Sequence, residues 1–257
     1  MKQTLSIIII AGNESKNIKG AINTAKWADE IILVAANSTD NTVNLAKKEL
    51  KTIKIFKTTD QYGKNFSKWR NIGLKHATTD WIFYLDADER IDTKLKKEIK
   101  NTISSFTDHT HYAIPRANHF LGRRVRFGGT YPDYVIRLYN RQNIKKWVGK
   151  LHESAQTTGN IGYLKSNLLH YTHTNISSML QKTIIWTDTE AQALYDSNHP
   201  PIVWWRFIRM MLSKLYERLI KQKMYKDGIV GWISAIFESY NTFIIYARLW
   251  EKQQTKK

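Results

Sequence analysis

Asp86-Ala87-Asp88-Glu89 is the segment of this chain best suited to chemistry. Two carboxylates flanking one small residue, just past the apolar run Trp81 to Leu85, can project toward one side and grip a hard divalent cation. Mg2+ and Mn2+ favour such oxygen ligands and keep positions open for water or substrate phosphates. The structural alternative makes Asp88 and Glu89 the acidic start of a helix beginning near Thr93. Ala11-Gly12-Asn13-Glu14 is a poor glycine-rich phosphate loop, which argues against nucleotidyl transfer, the rival chemistry for an acidic pair. The chain has no cysteine, so disulfides, thiolate zinc sites and thiol nucleophiles are excluded, in keeping with a reducing compartment.

Positioning these carboxylates is the work of a regular alternation of strand and helix signals. Leu5 to Ile10 is a β-branched run expected to be a central parallel strand buried on both faces. A helix from about Ser15 to Trp27 follows, then a strand over Glu30–Ala35. Asn37-Ser38-Thr39-Asp40 supplies turn and capping chemistry for a helix through Leu50. Thr52–Lys57 reads as a strand, Phe66–His76 as a helix and Trp81–Leu85 as a strand. Such an order implies right-handed βαβ units whose loops converge on one crevice at the carboxyl ends of the strands. Past residue 100 the pattern becomes mixed: His111–Arg116, Arg124–Phe127 and Tyr134–Asn140 are expected strands, and a second lobe on the same sheet is expected. From Ile176 the chain reads as helical.

The chain has 257 residues and 40 Lys+Arg against 22 Asp+Glu, a formal charge of +18. With 42% hydrophobic residues it is globular rather than a disordered basic tail. The charge calls for a polyanionic partner: nucleic acid, anionic lipid or a phosphate-rich ligand. Basic residues are spread along the chain without a zinc-finger or RNA-recognition motif, so no specific nucleic acid is expected. The start of the chain, with Lys2 and a short Ile-rich run, is not the pattern of a signal peptide. Ile229, Trp232, Ile233, Ile236, Phe237, Tyr240, Phe243, Ile244 and Ala247 form an apolar stripe at helical spacing. Ile202–Ile220 mixes Trp204, Trp205, Phe207 and Met210 with Arg206, Arg209, Lys214 and Arg218. Tryptophan beside Arg and Lys suits the headgroup layer of an anionic membrane, while a helical hairpin packed on the body or on a second subunit explains the same pattern. Glu238, Ser239 and Asn241 lie in the middle of the last stripe and argue against a transmembrane span.

Asn13-Glu14, Asn17-Ile18, Trp27-Ala28-Asp29-Glu30-Ile31, Ser38-Thr39-Asp40-Asn41-Thr42, Arg70-Asn71 and Leu85-Asp86-Ala87-Asp88-Glu89, in this order, resemble the nucleotide-sugar-binding half of family 2 glycosyltransferases of GT-A fold. Phe120-Leu121-Gly122-Arg123, Gly128-Gly129-Thr130-Tyr131-Pro132-Asp133, Arg137-Leu138-Tyr139, His152-Glu153 and His170-Tyr171-Thr172 are similar to the branch containing lipopolysaccharide-core β-1,4-glucosyltransferases. The resemblance implies an α/β, Rossmann-like, mostly parallel sheet with mixed strands on the acceptor side and a helical C-terminal extension. It divides the chain into a nucleotide-sugar-binding half (1–100), an acceptor-binding half (101–175) and an amphipathic extension (176–257).

By the same resemblance the protein is an inverting, metal-dependent hexosyltransferase. Its donor would be a UDP-sugar, with glucose favoured, and its acceptor an anionic glycolipid, lipooligosaccharide or polysaccharide at the cytoplasmic face of the cell membrane. Oligomers could form through the C-terminal helices. Asp88, with Asp86 and a late histidine, His170 ahead of His173, would hold Mg2+ or Mn2+. Ala11, Asn13, Glu14, Ala35, Asp40, Arg70, Asp86 and Ala87 fall where the family lines its nucleotide pocket. Glu153 takes the position of the general base, with Asp133 as its rival. One residue departs from the pattern: Ala35 stands where the family usually carries an aspartate that binds the nucleotide base. A weakened or inactive family member is the reading that this departure keeps open.

Overall fold

The computed structural model describes residues 2–59, 65–149 and 153–255. His152, part of one motif above, lies outside them. The chain forms two compact units, Met1–Arg116 with Asp133–His170 and Ala117–Pro132 with Tyr171–Lys257.

In the first unit β1 (Leu5–Ala11), α1 (Ile18–Ala25), β2 (Glu30–Ala36), α2 (Thr42–Glu49), β3 (Lys54–Thr58), α3 (Phe66–His76) and β4 (Trp81–Asp86) build the expected βαβ array. β5 (Glu89–Ile91), α4 (Thr93–Ser104) and β6 (His109–Phe120) follow. β6 and the later strand Leu168–His173 begin in this unit and end in the other. β1 lies between β2 and β4, parallel to both, and β3 is parallel to β2 on the far side. The Ile run divides between two cores because successive side chains point to opposite faces. Leu5, Ile7 and Ile9 join the α1, α2 and α4 side, whereas Ile8 and Ile10 join the side of α3. All seven β1 residues are buried, as a doubly covered parallel strand requires. Gly73 lets α3 approach this closely, since a Cβ there would lie 2.4 Å from Ile8 Cγ2.

Beyond β7 (Arg123–Arg124), which belongs to the second unit, β8 (Asp133–Asn140) runs antiparallel to both β4 and β6. β9 (Ile144–Val148) and β10 (Ser154–Thr157) form a separate antiparallel pair, and β11 (Asn160–Tyr163) adds parallel to β6. β12 (Leu168–His173) pairs antiparallel with β5 through Leu168, Leu169 and His170. The strands after β8 escape the sequence pattern because they are short and partly exposed, Ser154–Thr157 carrying no buried residue at all.

The second unit consists of the ends of β6 and β12, β7 and the helices α5 (Ile176–Asp196), α6 (Trp204–Tyr216) and α7 (Ile229–Gln254). One expectation is corrected here. The strand expected over Arg124–Phe127 is confined to Arg123–Arg124, because the Arg126 and Phe127 amides donate to the Asp227 carboxylate at 2.9–3.1 Å instead of to a strand. The apolar stripe of α7 is not its buried face. Val230, Gly231, Ser234, Ala235, Ser239 and Thr242 are buried, while Ile229, Trp232, Ile236 and Tyr240 are exposed. Small residues let α7 pack closely against α5 and α6, and the large ones are left outside. Among the described residues no helix is long and apolar enough to cross a membrane.

Candidate active site

The carboxyl ends of β1, β2 and β4 are neighbours, Ala11 opposite Ala35 and Ile10 opposite Asp86, so their loops meet. Asn13 ties the first two loops together. Its Oδ1 accepts from the Thr39 and Asp40 amides at 2.8 and 3.2 Å, and its Nδ2 donates to Thr39 Oγ1 at 3.1 Å. The Glu14 amide donates to Thr42 Oγ1 at 2.8 Å, and the Glu14 carboxylate accepts from Asn17. Asp40 accepts from the Ser15 and Thr42 amides at 3.1 and 3.0 Å. Desolvation pushes its carboxyl up, but the Thr42 and Ser15 hydrogen bonds outweigh it and hold the pKa at about 2. Asn13, Glu14 and Asp40 are thereby brought together at the carboxyl ends of β1 and β2. Ala35 is buried in the core on the α1 side, beside Ala11, so no carboxylate is present there to meet a nucleotide base.

The β4–β5 turn is not a helix start, because the N-cap of α4 is Asp92, which accepts from the Leu95 amide at 2.8 Å. Its shape is set by Arg90. One guanidinium nitrogen donates to the Ala87 and Glu89 carbonyls, each at 2.7 Å, and another donates to the Asn17 carbonyl at 2.9 Å. The arginine passes over Gly20, where a Cβ would come within 2.5 Å of it.

From this turn runs a ladder of alternating charges that the sequence reading did not anticipate. Glu153 Oε1 accepts from Arg70 Nε and Nη2, each at 3.2 Å, and Arg70 Nη2 also reaches Asp86 Oδ1 at 3.3 Å. The other Asp86 oxygen accepts from Arg137 Nη2, which bridges to Glu89 Oε1 at 2.7 Å. Glu89 lies 3.9 Å from Arg116, and Arg116 pairs with Asp133 at 2.6 Å. Burial raises the Asp86 carboxyl, but Arg137 and then Arg70 more than compensate and hold it well below the usual range. Glu89 is wholly buried, and desolvation together with the Asp86 charge pushes it up in spite of Arg137. Arg70 is fixed by stacking 4.8 Å over Trp147, whose backbone is held in turn by the Asn71 side chain through bonds of 2.8 and 2.9 Å. The signals for this ladder were Arg137 and Glu89 inside quoted motifs; the pairing itself depends on β8 lying against β4, a long-range fact.

Arg70, Asp86, Arg137 and Glu153 line one cavity of about 380 Å³, together with Trp147 and Tyr139. Asp133 does not line it. Asp88 Oδ2 lies 3.5 Å from His170 Nε2, because His170 sits opposite Glu89 in the β12–β5 pair. Neighbouring ligands of a six-coordinate cation with bonds near 2.1 Å lie about 3 Å apart, so this oxygen and nitrogen fit such an ion with little movement. Asp86 does not fit in the same way, since guanidinium groups take both of its oxygens. Among the described residues no cluster of three acidic or histidine side chains is arranged around one point. Mg2+ usually takes one or two protein carboxylates, which Asp88 could supply, and leaves the remaining positions to water and phosphate. His173 belongs to the second unit, where its ring meets Phe120 edge-on at 4.7 Å. Gly128 and Gly129 are also in that unit, at φ of +71° and +72°, with the Gly128 amide donating to the Gln222 carbonyl.

The sequence pattern of Glycosyl transferase family 2 matches residues 6–168, which takes in the charge ladder and Asp88 and ends two residues before His170. The chain belongs to that family. Over 268 residues it is 22% identical to the lipopolysaccharide core biosynthesis glycosyltransferase LpsC of Rhizobium meliloti, covering 99% of this chain and 95% of LpsC. A glycosyltransferase of Rickettsia conorii, RC0292, is 23% identical over 273 residues, covering all of this chain and 93% of that one. Among solved structures, the mannosyltransferase PcManGT of Pyrobaculum calidifontis, in complex with GDP-Man and Mn2+, superposes with a TM-score of 0.52 at 12% identity, covering 100% of this chain and 88% of the other. The family 2 fold, with its mostly parallel sheet and C-terminal helices, is the fold expected from the sequence.

Proposed function

We propose that this family 2 glycosyltransferase moves a hexose, with glucose favoured, from a UDP-sugar to an anionic glycolipid, lipooligosaccharide or polysaccharide acceptor, with inversion at the anomeric carbon. The observation that carries this reading is the Arg70 guanidinium, which joins Glu153 to Asp86 across one cavity at the end of β4. A base for the acceptor and the donor-side turn are thereby held in one frame. Residues 1–100 would bind the donor, 101–175 the acceptor, and 176–257 would serve the acceptor's surroundings at the cytoplasmic periphery of the cell membrane.

In this reading Glu153 accepts the proton of the acceptor hydroxyl as its oxygen attacks the anomeric carbon. The bond from that carbon to the diphosphate oxygen breaks on the opposite face, which turns an α-linked donor into a β-glycoside. Arg70 orients Glu153, and Trp147 keeps Arg70 in place. Asp133 lies outside the cavity that Glu153 lines, so Glu153 is the better base. Asp88 and His170 would hold Mg2+ or Mn2+, while Asp86 keeps Arg70 and Arg137 in register beside them. When bound, the cation supplies Lewis-acid stabilisation of the departing diphosphate. Asn13, Glu14 and Asp40 shape the pocket rim, with Ala11 and Ala87 as its small walls. The presence of GDP-Man and Mn2+ in the Pyrobaculum enzyme supports a nucleotide sugar and a divalent cation.

The test is Glu153→Gln, assayed by UDP release and sugar transfer to membrane extracts and by calorimetry with UDP-glucose. Transfer should fall by about 10²-fold or more with donor affinity kept. Full turnover by the variant would reassign the base.

A further inference from the structure

The second unit carries an apolar surface that its own packing does not use. Helix α6 has the sequence WWRFIRMMLSKLY, yet none of its thirteen residues is buried. Trp204, Ile208, Leu212, Tyr216 and, in the helical turn that follows, Ile220 stand four residues apart on one ridge, each 55–75% exposed. The helix is nevertheless docked: Ser239 of α7 donates to the Met211 carbonyl at 2.8 Å, and Arg218 pairs with Glu238. The ridge is thus the face left over after the hairpin has formed. Five large apolar residues in one exposed row exceed the scattered exposure of ordinary surfaces and mark an interaction site.

The charges around the ridge select its occupant. Residues 204–226 hold seven Lys or Arg against a single Glu. Exposed Arg209 lies over the Trp205 ring, and exposed Lys221 over that of Tyr216. An apolar row bordered by aromatic rings and cations matches the boundary between acyl chains and anionic headgroups. A second copy meeting the same row about a twofold axis would bring the two basic borders together, which like-charge repulsion opposes.

We infer that the Trp204–Ile220 ridge is a docking surface that lays α6 into the interface of an anionic lipid layer. This names the partner of the membrane-side extension and rests on that part of the functional reading, but not on the chemistry assigned to the cavity. The helix lies in the plane of the interface, its ridge among the upper acyl carbons and Arg209 and Lys221 among the phosphates.

The experiment is co-sedimentation of the full chain with phosphatidylcholine vesicles, with and without about one third phosphatidylglycerol, at low and high salt. The wild type should bind the anionic vesicles, and salt should weaken the binding. Ile208→Glu with Leu212→Glu should lower partitioning at least about 100-fold with an unchanged thermal melt, as both positions are exposed. Arg209→Gln with Lys221→Gln should lower it about 30-fold on anionic vesicles only. Partitioning of the Glu variant within threefold of wild type, or equal binding of the wild type to both vesicle types, would overturn the inference. So would a wild-type dimer in sedimentation velocity that the Glu variant dissolves. UDP release from UDP-glucose, measured without vesicles, should be the same in wild type and Glu variant. Loss of that activity in every form with vesicle binding intact would sink the enzymatic reading and leave the docking surface standing.

Discussion

Replacing Arg137 by Met tests whether the charge ladder is a structural unit. Arg137 is 5% exposed and sits between Asp86 and a Glu89 that is wholly buried. Methionine keeps most of the volume but leaves Glu89 with Arg116 at 3.9 Å as its nearest ladder cation. Removing one partner of a buried ion pair costs about 3–5 kcal/mol. At roughly 2–4 °C per kcal/mol for a chain of this size, the melting temperature should fall by about 6–20 °C. The pH dependence has a definite sign. Glu89 is already pushed above its ordinary range, and without Arg137 it rises further. A carboxyl whose folded pKa lies above its unfolded value binds a proton on folding, so its contribution is present at low pH and lost as pH rises. The deficit of Arg137→Met should therefore shrink when pH is lowered from about 8 to about 5. Adding Glu89→Gln should restore about 1 kcal/mol or more at neutral pH, a coupling that a double-mutant cycle in urea measures. A loss below about 1 kcal/mol, or a double variant no better than the single one, would refute the ladder as described.

Gly73→Ala pushes a methyl into Ile8 at 2.4 Å and should destabilise the first unit by about 1–3 kcal/mol, read from urea midpoints at constant slope. A neutral effect would mean that α3 can retreat from β1 freely. Ala35→Asp puts a carboxylate into the core beside Ala11, at a position only 2% exposed, and should destabilise the first unit by about 1–3 kcal/mol or more, read from urea midpoints. An unchanged midpoint would mean that the new side chain escapes the core.

The parallel half of the fold was legible because its signals are local. The run Leu5–Ile10 lies within one strand, and Phe66–His76 is a helix with those bounds. The meeting of the loops after β1 and β2 was legible for the same reason, since Asn13, Glu14 and Asp40 follow strand signals directly. What sequence could not convey was partnership across distance. That Arg70 holds Glu153, 83 residues away, depends on β9 and β10 being laid against α3 by Asn71. The stripe on α7 could not be assigned because periodicity says that a face is apolar, not whether it is covered. Small residues at the turns between made the better packing surface.

The Arg90 clamp links the length of one loop to the geometry of another. Because the same guanidinium holds the Ala87 and Glu89 carbonyls and the Asn17 carbonyl, the span between β1 and α1 is part of the mould in which Asp86 and Asp88 are cast. Any loop grafted between β1 and α1 must therefore deliver a carbonyl at the position of Asn17 and a bare backbone at Gly20. Lysine, with a single charged nitrogen on a flexible stem, could not replace the fork that binds all three carbonyls.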